Sequence, residues 1–142
     1  MMYIEILLKE LEKCSKHKDV PVSALIVKNG KIIAKSYNKK EKNKNPFNHA
    51  EILVIKKVCK KIKSYNLSDC DLYVTLKPCE MCQALINASK IKNVYYLVDK
   101  LDYKKEYKSN YYLIEGYDDI KKKYKNVLKD FFESLRNQIN KN

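Results

Sequence analysis

The feature that most constrains this chain is a set of one histidine and two cysteines in two short, widely separated packets. The first packet is His49-Ala50-Glu51, and the second is Pro78-Cys79-Glu80-Met81-Cys82. If the second packet begins a helix, cysteines three positions apart lie on the same face and can bind one ion together. The fold must then bring His49 to this pair, which would complete three protein ligands of a metal site.

The chemistry of such a site follows from its ligand count. One imidazole and two thiolates leave the fourth tetrahedral position open, which is typical of catalytic zinc sites, whereas structural sites usually close it with a fourth protein ligand. Zinc lowers the pKa of bound water toward roughly 7. Glu51 follows His49 by two positions, so it could carry a proton between that water and a substrate. Attack on an amidine-like ring carbon with loss of ammonia is hydrolytic deamination.

Other interpretations of the same residues remain open. The Cys-x-x-Cys pair could be a redox pair or half of a structural zinc site, with Cys14, Cys59 or Cys70 as further ligands. Cys59 also lies on an apolar helical face, where a cysteine is more often part of the core. Glu51 could instead close a capping box with Asn48 at an ordinary helix start.

Length and cysteine content indicate the class of protein. The 142 residues, 45% of them apolar, suit one domain spanning residues 1–142. We expect neither secretion nor membrane insertion, because no apolar run approaches the ~18 residues that a span needs. Five cysteines are an odd number and do not form a disulfide framework. We therefore expect a cytoplasmic protein.

The charge of the chain suggests a polyanionic partner. Its formal net charge is +13, and such a field attracts phosphate backbones at long range. Nearly all of the positive charge is lysine, however, and Arg136 is the single arginine. Arginine is the better bidentate phosphate ligand, so the charge is equally consistent with a compositional bias of the sequence.

Hydrophobic periodicity predicts an α/β fold. Asn29-Gly30 separates two β-rich runs and is a strong hairpin signal. A hairpin followed by alternating strands and helices predicts three α/β/α layers around a mixed five-stranded sheet. We predict helices at Met2–Lys13, His49–Lys63, Pro78–Ser89 and Asp119–Ile139, and strands at Val20–Lys28, Lys31–Tyr37, Asp71–Leu76, Asn93–Val98 and Tyr111–Ile114. Residues 101–109 show no clean period and are predicted to form a loop.

The paired His-x-Glu and Pro-Cys-x-x-Cys packets resemble the zinc motif of the cytidine deaminase superfamily. Within it the chain resembles the bacterial tRNA-specific adenosine deaminases. The segments that carry the likeness, besides the two packets, are Asp19-Val20-Pro21-Val22, Asn38, Asn45-Pro46, Leu72-Tyr73-Val74-Thr75-Leu76, Ile91, Phe131-Phe132 and Arg136. The chain departs from that pattern at Ser23, Asn45 and Lys77, and the family's small substrate loop is not recognisable in residues 97–109.

This resemblance implies a cytidine deaminase-like fold, bound zinc (Zn²⁺) and a set of roles. His49, Cys79 and Cys82 would bind the metal, and Glu51 would be the catalytic residue. Asn38 would contact the target base, while Val22 and Asn45 would line the pocket. The terminal helix would help hold a tRNA anticodon stem-loop, and the family works as a homodimer.

The leading hypothesis is therefore a hydrolase acting on a cyclic amidine C–N bond, which converts adenosine to inosine at the wobble position of a tRNA anticodon loop. One alternative is a deaminase of a free base, nucleoside or nucleotide of the cytosine, guanine or adenine type. The other is a zinc-containing RNA-binding module without catalysis. Tyrosines could stack on RNA bases or simply pack on the protein, and the candidates are Tyr103, Tyr107, Tyr111, Tyr112 and Tyr117.

Overall fold

A computed structural model describes residues 2–99 and 109–140 of the chain. Within them the helices are α1 (Met2–Leu11), α2 (Lys40–Asn43), α3 (Ala50–Ile62), α4 (Glu80–Ala88) and α5 (Asp118–Asn140). The strands are β1 (Ser23–Lys28), β2 (Lys31–Tyr37), β3 (Cys70–Leu76), β4 (Asn93–Val98) and β5 (Asn110–Leu113). A 3-10 turn, Glu12–His17, follows α1. The predicted loop at 101–109 and two of the candidate tyrosines, Tyr103 and Tyr107, lie outside the described residues, except for Ser109.

The five strands form one mixed sheet in the order β2-β1-β3-β4-β5. β1 pairs antiparallel with β2 and β3, whereas β3, β4 and β5 run parallel to one another. The β1–β2 turn has positive φ at both Asn29 and Gly30, as a two-residue hairpin of matching twist requires. The predicted hairpin and the mixed five-stranded sheet are confirmed.

Helices cover both faces of this sheet. Ser23 and Thr75 lie side by side on one face, where the Ser23 hydroxyl donates to the Leu7 carbonyl of α1 and the Thr75 hydroxyl donates to Tyr124 of α5. On the opposite face α3 packs against β1 and β2 and contacts α4. The predicted three-layer arrangement is therefore confirmed. Among residues 2–99 and 109–140, no helix is both long and apolar enough to cross a membrane.

The observed ends of the elements have local causes. β1 begins at Ser23 and not at the predicted Val20, because the carbonyls of Val20 and Val22 accept hydrogen bonds from Asn38 and that of Pro21 accepts one from Tyr124. α3 ends at Ile62 because Lys63 adopts a left-handed conformation, with φ of 56°.

Four tyrosines form a row on the face covered by α1 and α5. Tyr73, Tyr95 and Tyr112 are register partners on β3, β4 and β5, and their ring centroids lie 4.8 and 5.5 Å apart. Tyr3 of α1 extends the row, with its centroid 4.9 Å from that of Tyr73. Tyr111 packs against the core. The tyrosines of β5 thus pack against the protein, as one of the two interpretations predicts.

Candidate active site

Two helix N-termini present the candidate metal-binding side chains. His49 is the N-cap residue of α3 and Cys79 is the N-cap residue of α4, and neither makes a side-chain capping hydrogen bond. Cys82 lies in the first turn of α4, on the same side as Cys79. Pro78 precedes the N-cap, so α4 starts two residues later than predicted. The positive ends of both helix dipoles point toward this site and favour thiolate over thiol.

The three donor atoms lie at distances that suit one zinc ion. His49 Nδ1 is 3.7 Å from Cys79 Sγ and 3.5 Å from Cys82 Sγ. Zn–S and Zn–N bonds of about 2.3 and 2.05 Å at a tetrahedral angle would separate nitrogen from sulfur by about 3.6 Å. Within the described part of the chain, no fourth histidine, cysteine, aspartate or glutamate joins this group. The donor set therefore fits zinc with one corner left for a non-protein ligand.

The two thiols have opposite protonation tendencies. A hydrogen bond from Cys82 lowers the pKa of Cys79 to about 3, and the same hydrogen bond, together with burial, raises the pKa of Cys82. Cys79 is therefore the thiol of the pair that ionises more readily. A thiol that loses its proton this readily is suited, as the thiolate, to bind a divalent cation.

Glu51 lies beside the three donors and is 4% exposed. Burial raises the pKa of its carboxyl, which also hydrogen-bonds to the Cys82 thiol. The alternative in which Glu51 closes a capping box with Asn48 is wrong, because His49 and not Asn48 is the N-cap residue of α3 and no side-chain capping bond is formed there. A carboxyl with a raised pKa next to a metal site can both accept and return a proton near neutral pH.

Asn38 provides the capping contact that α3 lacks locally. Its Oδ1 accepts the backbone N–H of Ala50 at 2.8 Å, and its Nδ2 donates to the Val20 carbonyl at 3.0 Å. Val22 is buried, and its carbonyl accepts the Asn38 backbone N–H. Both side chains line the cavity described below. Asn45 is not among its described lining residues, and its Oδ1 accepts the Phe47 N–H; a role for Asn45 in the pocket stays a prediction.

A cavity of about 1220 Å³ opens above His49, Glu51 and Cys79. Its far wall is α5, which contributes apolar side chains including Phe131 and Phe132. The cationic lining residues are Lys18, Lys40, Lys44, Lys77, Lys121 and Lys125. Lys77, directly before Pro78, lies 3.9 Å from Asp99 and 5.4 Å from the Tyr96 ring centroid. The cavity thus combines a buried metal-binding end with a cationic rim.

The remaining cysteines lie away from the metal-binding group. Cys14 is buried, and its Sγ lies 3.7 Å from the Val22 carbonyl oxygen. Cys59 packs against the core, and the Cys70 thiol contacts Asp69. All five cysteines are free of disulfides. The interpretation in which Cys14, Cys59 or Cys70 completes a closed structural site is therefore wrong.

Comparison with known proteins identifies the family. The family described as "Cytidine and deoxycytidylate deaminase zinc-binding region" matches residues 1–98. The chain belongs to this deaminase family. The membership predicted from the two packets is confirmed, as is zinc as the metal of the family.

Within the deaminase family, similarity extends over nearly the whole chain. A tRNA-specific adenosine deaminase of Aquifex aeolicus is 33% identical over 96% of both chains. Shorter alignments with other tRNA-specific adenosine deaminases span 56–64% of those relatives' length.

Two solved structures are also similar. One, from a study of A-to-I editing by tRNA:A34 deaminases at the wobble position, has a TM-score of 0.72 at 28% identity, with 80% of this chain and 97% of that chain covered. The other, guanine deaminase of Bacillus subtilis, has a TM-score of 0.64 at 32% identity, with coverages of 69% and 63%.

Sequence reasoning missed residues that hold the deaminase-family motif in place. Gln83 is fully buried, and its Nε2 donates to the Pro78 carbonyl at 2.6 Å, which fixes the turn that carries Cys79. Asp19 is buried and accepts the backbone N–H groups of Glu41 and Lys42. No sequence pattern indicates the partner of either side chain, although Asp19 opens the segment that carries part of the family likeness.

Proposed function

We propose that this protein is a zinc-dependent hydrolytic deaminase that converts adenosine to inosine at the wobble position of a tRNA anticodon loop. The observation that carries the proposal is the convergence of His49 Nδ1 with two cysteine sulfurs beside the buried Glu51 carboxyl, at the base of one cavity. An active site of this kind requires an activated water, a proton carrier and a pocket for the base, and the chain offers residues for each.

The roles of the residues follow from their positions. His49, Cys79 and Cys82 would hold zinc, whose Lewis-acid chemistry makes water nucleophilic near neutral pH. Glu51 accepts a proton from the attacking water and passes it to the ring nitrogen. As the C–N bond breaks, Glu51 takes the remaining proton from the hydroxyl added to the ring carbon and delivers it to the leaving amino group, so ammonia departs and a carbonyl remains. Asn38 would contact the target base, and Val22 and Asn45 would line the pocket.

An RNA substrate fits the cavity better than a free base does. The volume of about 1220 Å³ exceeds the ≈ 300–1,000 Å³ usual for small-molecule sites, and six lysines surround it. Lysines at such a rim neutralise phosphates, which a free base lacks. Phe131 and Phe132 of α5 offer aromatic surface against which unpaired bases can stack. A single-stranded loop is the cheapest source of an extruded base.

A guanine-type deaminase is the second candidate, because the fold is also similar to that of guanine deaminase from Bacillus subtilis. It would use the same metal ligands and the same glutamate, and it would differ in the groups that close the cavity. A zinc-containing RNA-binding module without catalysis is a third candidate and would have no need for a buried carboxyl beside the open metal corner.

One experiment separates these candidates. Zinc-loaded protein is incubated with tRNA bearing a wobble adenosine, with the same tRNA bearing a wobble guanosine, and with free guanine, cytosine and adenosine. The proposal expects inosine in the first tRNA and its loss in Glu51→Gln, which should keep zinc and the fold. Turnover of free guanine without inosine in tRNA would favour the second candidate. Zinc-dependent tRNA binding without turnover of any substrate would favour the third.

The assembly and location belong to the same proposal. We infer a single domain that works as a homodimer in the cytoplasm and binds no membrane. Five disulfide-free cysteines support a reducing compartment. Sedimentation of the purified chain with and without tRNA tests the dimer, and a monomer at all concentrations would contradict it.

A further inference from the structure

A second cationic surface lies on the other side of α2 from the cavity and is centred on Tyr37. Three ammonium groups surround the Tyr37 ring, with Lys39 Nζ 4.6 Å, Lys42 Nζ 5.6 Å and Lys13 Nζ 5.7 Å from its centroid. Lys42 also donates to the Tyr37 hydroxyl at 3.1 Å. Lys35 and Lys57 adjoin these residues. We call the set the Tyr37 cluster, composed of Lys13, Lys35, Tyr37, Lys39, Lys42 and Lys57.

The Tyr37 cluster carries more positive charge than its neighbours neutralise. Among the described residues its ion pairs involve one carboxylate, that of the buried Glu10, which lies 2.6 Å from Lys13 Nζ and 3.6 Å from Lys35 Nζ. Five ammonium groups therefore face one carboxylate. Burial, and then the charge of Lys39, lowers the pKa of Lys57, so the cations repel one another. A bound anion would relieve this repulsion, because the ammonium groups of Lys13, Lys39 and Lys42 all lie within 5.7 Å of the ring centroid, well inside the Debye length of about 10 Å at 0.1 M salt.

α2 joins this surface to the cavity. Lys40 and Lys44 of the α2 segment line the cavity, whereas Lys39 and Lys42 contact the Tyr37 ring. The carboxylate of Asp19 fixes α2 by accepting the Glu41 and Lys42 backbone N–H groups at 2.7 and 3.2 Å. Cationic side chains thus continue from the mouth of the cavity across α2 to Tyr37.

We propose that the Tyr37 cluster binds the phosphate backbone of the RNA strand that leaves the cavity, so that the RNA site extends across α2 beyond the target nucleotide. This inference rests on the proposed tRNA substrate. The ammonium groups act as point charges on phosphate oxygens. Such contacts position the RNA but do not discriminate between base sequences. The Tyr37 ring gathers the lysines through cation–π attraction and holds them in place before the RNA arrives.

The test compares two variants that lose the same charge at different places. Lys39→Gln/Lys42→Gln removes two cations of the Tyr37 cluster. Lys60→Gln/Lys92→Gln is the matched control, because Lys60 lies in the last turn of α3 and Lys92 precedes β4, at the end of the sheet opposite the metal-binding group. The dissociation constant for tRNA is measured between 50 and 200 mM salt, conditions over which phosphate contacts weaken steeply.

Each phosphate-binding lysine removed should lower the slope of log K against log salt by about 1. We expect a slope lower by about 2 for the cluster variant, with affinity weaker on the order of tenfold at 0.1 M salt, and a much smaller change for the control. Equal salt slopes and equal tRNA affinities of the two variants would overturn the inference while leaving the proposed function intact. Failure of the parent protein to bind or edit tRNA would remove the proposed function itself.

A single substitution keeps the test decisive if the double variant is unstable. Lys39 is half-buried, and its ammonium makes a weak cation–π contact with the ring at the protein surface. Loss of this contact in Lys39→Gln should therefore leave the fold intact. Its slope should fall by about 1, and thermal unfolding should match that of the parent. An unchanged slope in this folded variant would also overturn the inference.

Discussion

The hydroxyl of Tyr124 links α5 to the sheet, and removing it should weaken the whole molecule. Tyr124 is 2% exposed; its hydroxyl accepts from Thr75 at 3.1 Å and donates to the Pro21 carbonyl at 2.9 Å. Tyr124→Phe removes both bonds and leaves two buried polar groups without this partner. At about 1 kcal/mol for each lost bond, with a further penalty for unsatisfied groups, the free energy of unfolding should fall by about 2–3 kcal/mol.

This change is large enough to measure by thermal or urea denaturation. An unfolding entropy of about 2.1 cal/mol/K per residue converts it to a decrease in Tm of roughly 7–10 °C. Tyr65→Phe is the matched control, because Tyr65 is 72% exposed and loses the same atom to solvent, with an expected change within about 0.5 kcal/mol. A Tyr124→Phe protein as stable as this control would refute the proposed linkage.

Three further predictions concern the site. Asn38→Ala leaves the Ala50 N–H uncapped and should lower the free energy of unfolding by about 1–2 kcal/mol, measured by urea denaturation; a value as small as that of an exposed Asn→Ala change would contradict the capping role. Gln83→Leu frees the Pro78 carbonyl and should weaken zinc binding about 10–100-fold in competition with a chromophoric chelator, and unaltered affinity would count against it. Zinc at 1,000 times its Kd should add about 4 kcal/mol of stability. Cys82→Ser should abolish most of that gain in stability. An undiminished gain in this variant would show that Cys82 is not a ligand.

The fold and the family could be predicted from the sequence where a local pattern of residues determines the structure. β4 has the predicted bounds, Asn93–Val98, because its run of β-branched and aromatic residues is short and buried. The hairpin follows from Asn29-Gly30, and the deaminase family follows from two packets whose residue types are tied to one kind of metal chemistry. In each case the residues that carry the signal are neighbours in the chain.

Sequence patterns do not identify the distant partners of side chains. The capping box of Asn48 and Glu51 was only an alternative interpretation, and no pattern indicated that the first amide of α3 is bound by Asn38, 12 positions away. The anchoring of α5 depends on the contact between Tyr124 and Pro21, which lie 103 positions apart. Period and propensity carry no information about such pairs, since the sheet topology alone brings them together.

The abundant lysine of the chain need not have a single explanation, because individual lysines have different structural roles. Lys57 and Lys61 of α3 donate to the carbonyls of Lys35 and Ile33 on β2, at 2.7 and 3.1 Å. β2 is an outer strand, and covering its unpaired carbonyls protects an edge that could otherwise pair with another chain.

Lysines also surround the cavity and the Tyr37 ring. The six cavity lysines outnumber the four acidic residues that line it, and the five lysines of the Tyr37 cluster, Lys57 among them, have Glu10 as their ion-pair partner among the described residues. A purely compositional excess would leave the salt dependence of tRNA binding insensitive to which two lysines are removed, since net charge would be the only variable. A functional arrangement requires the position of each charge to matter. The comparison of Lys39→Gln/Lys42→Gln with Lys60→Gln/Lys92→Gln therefore tests a property that composition alone cannot explain, because both variants have the same net charge.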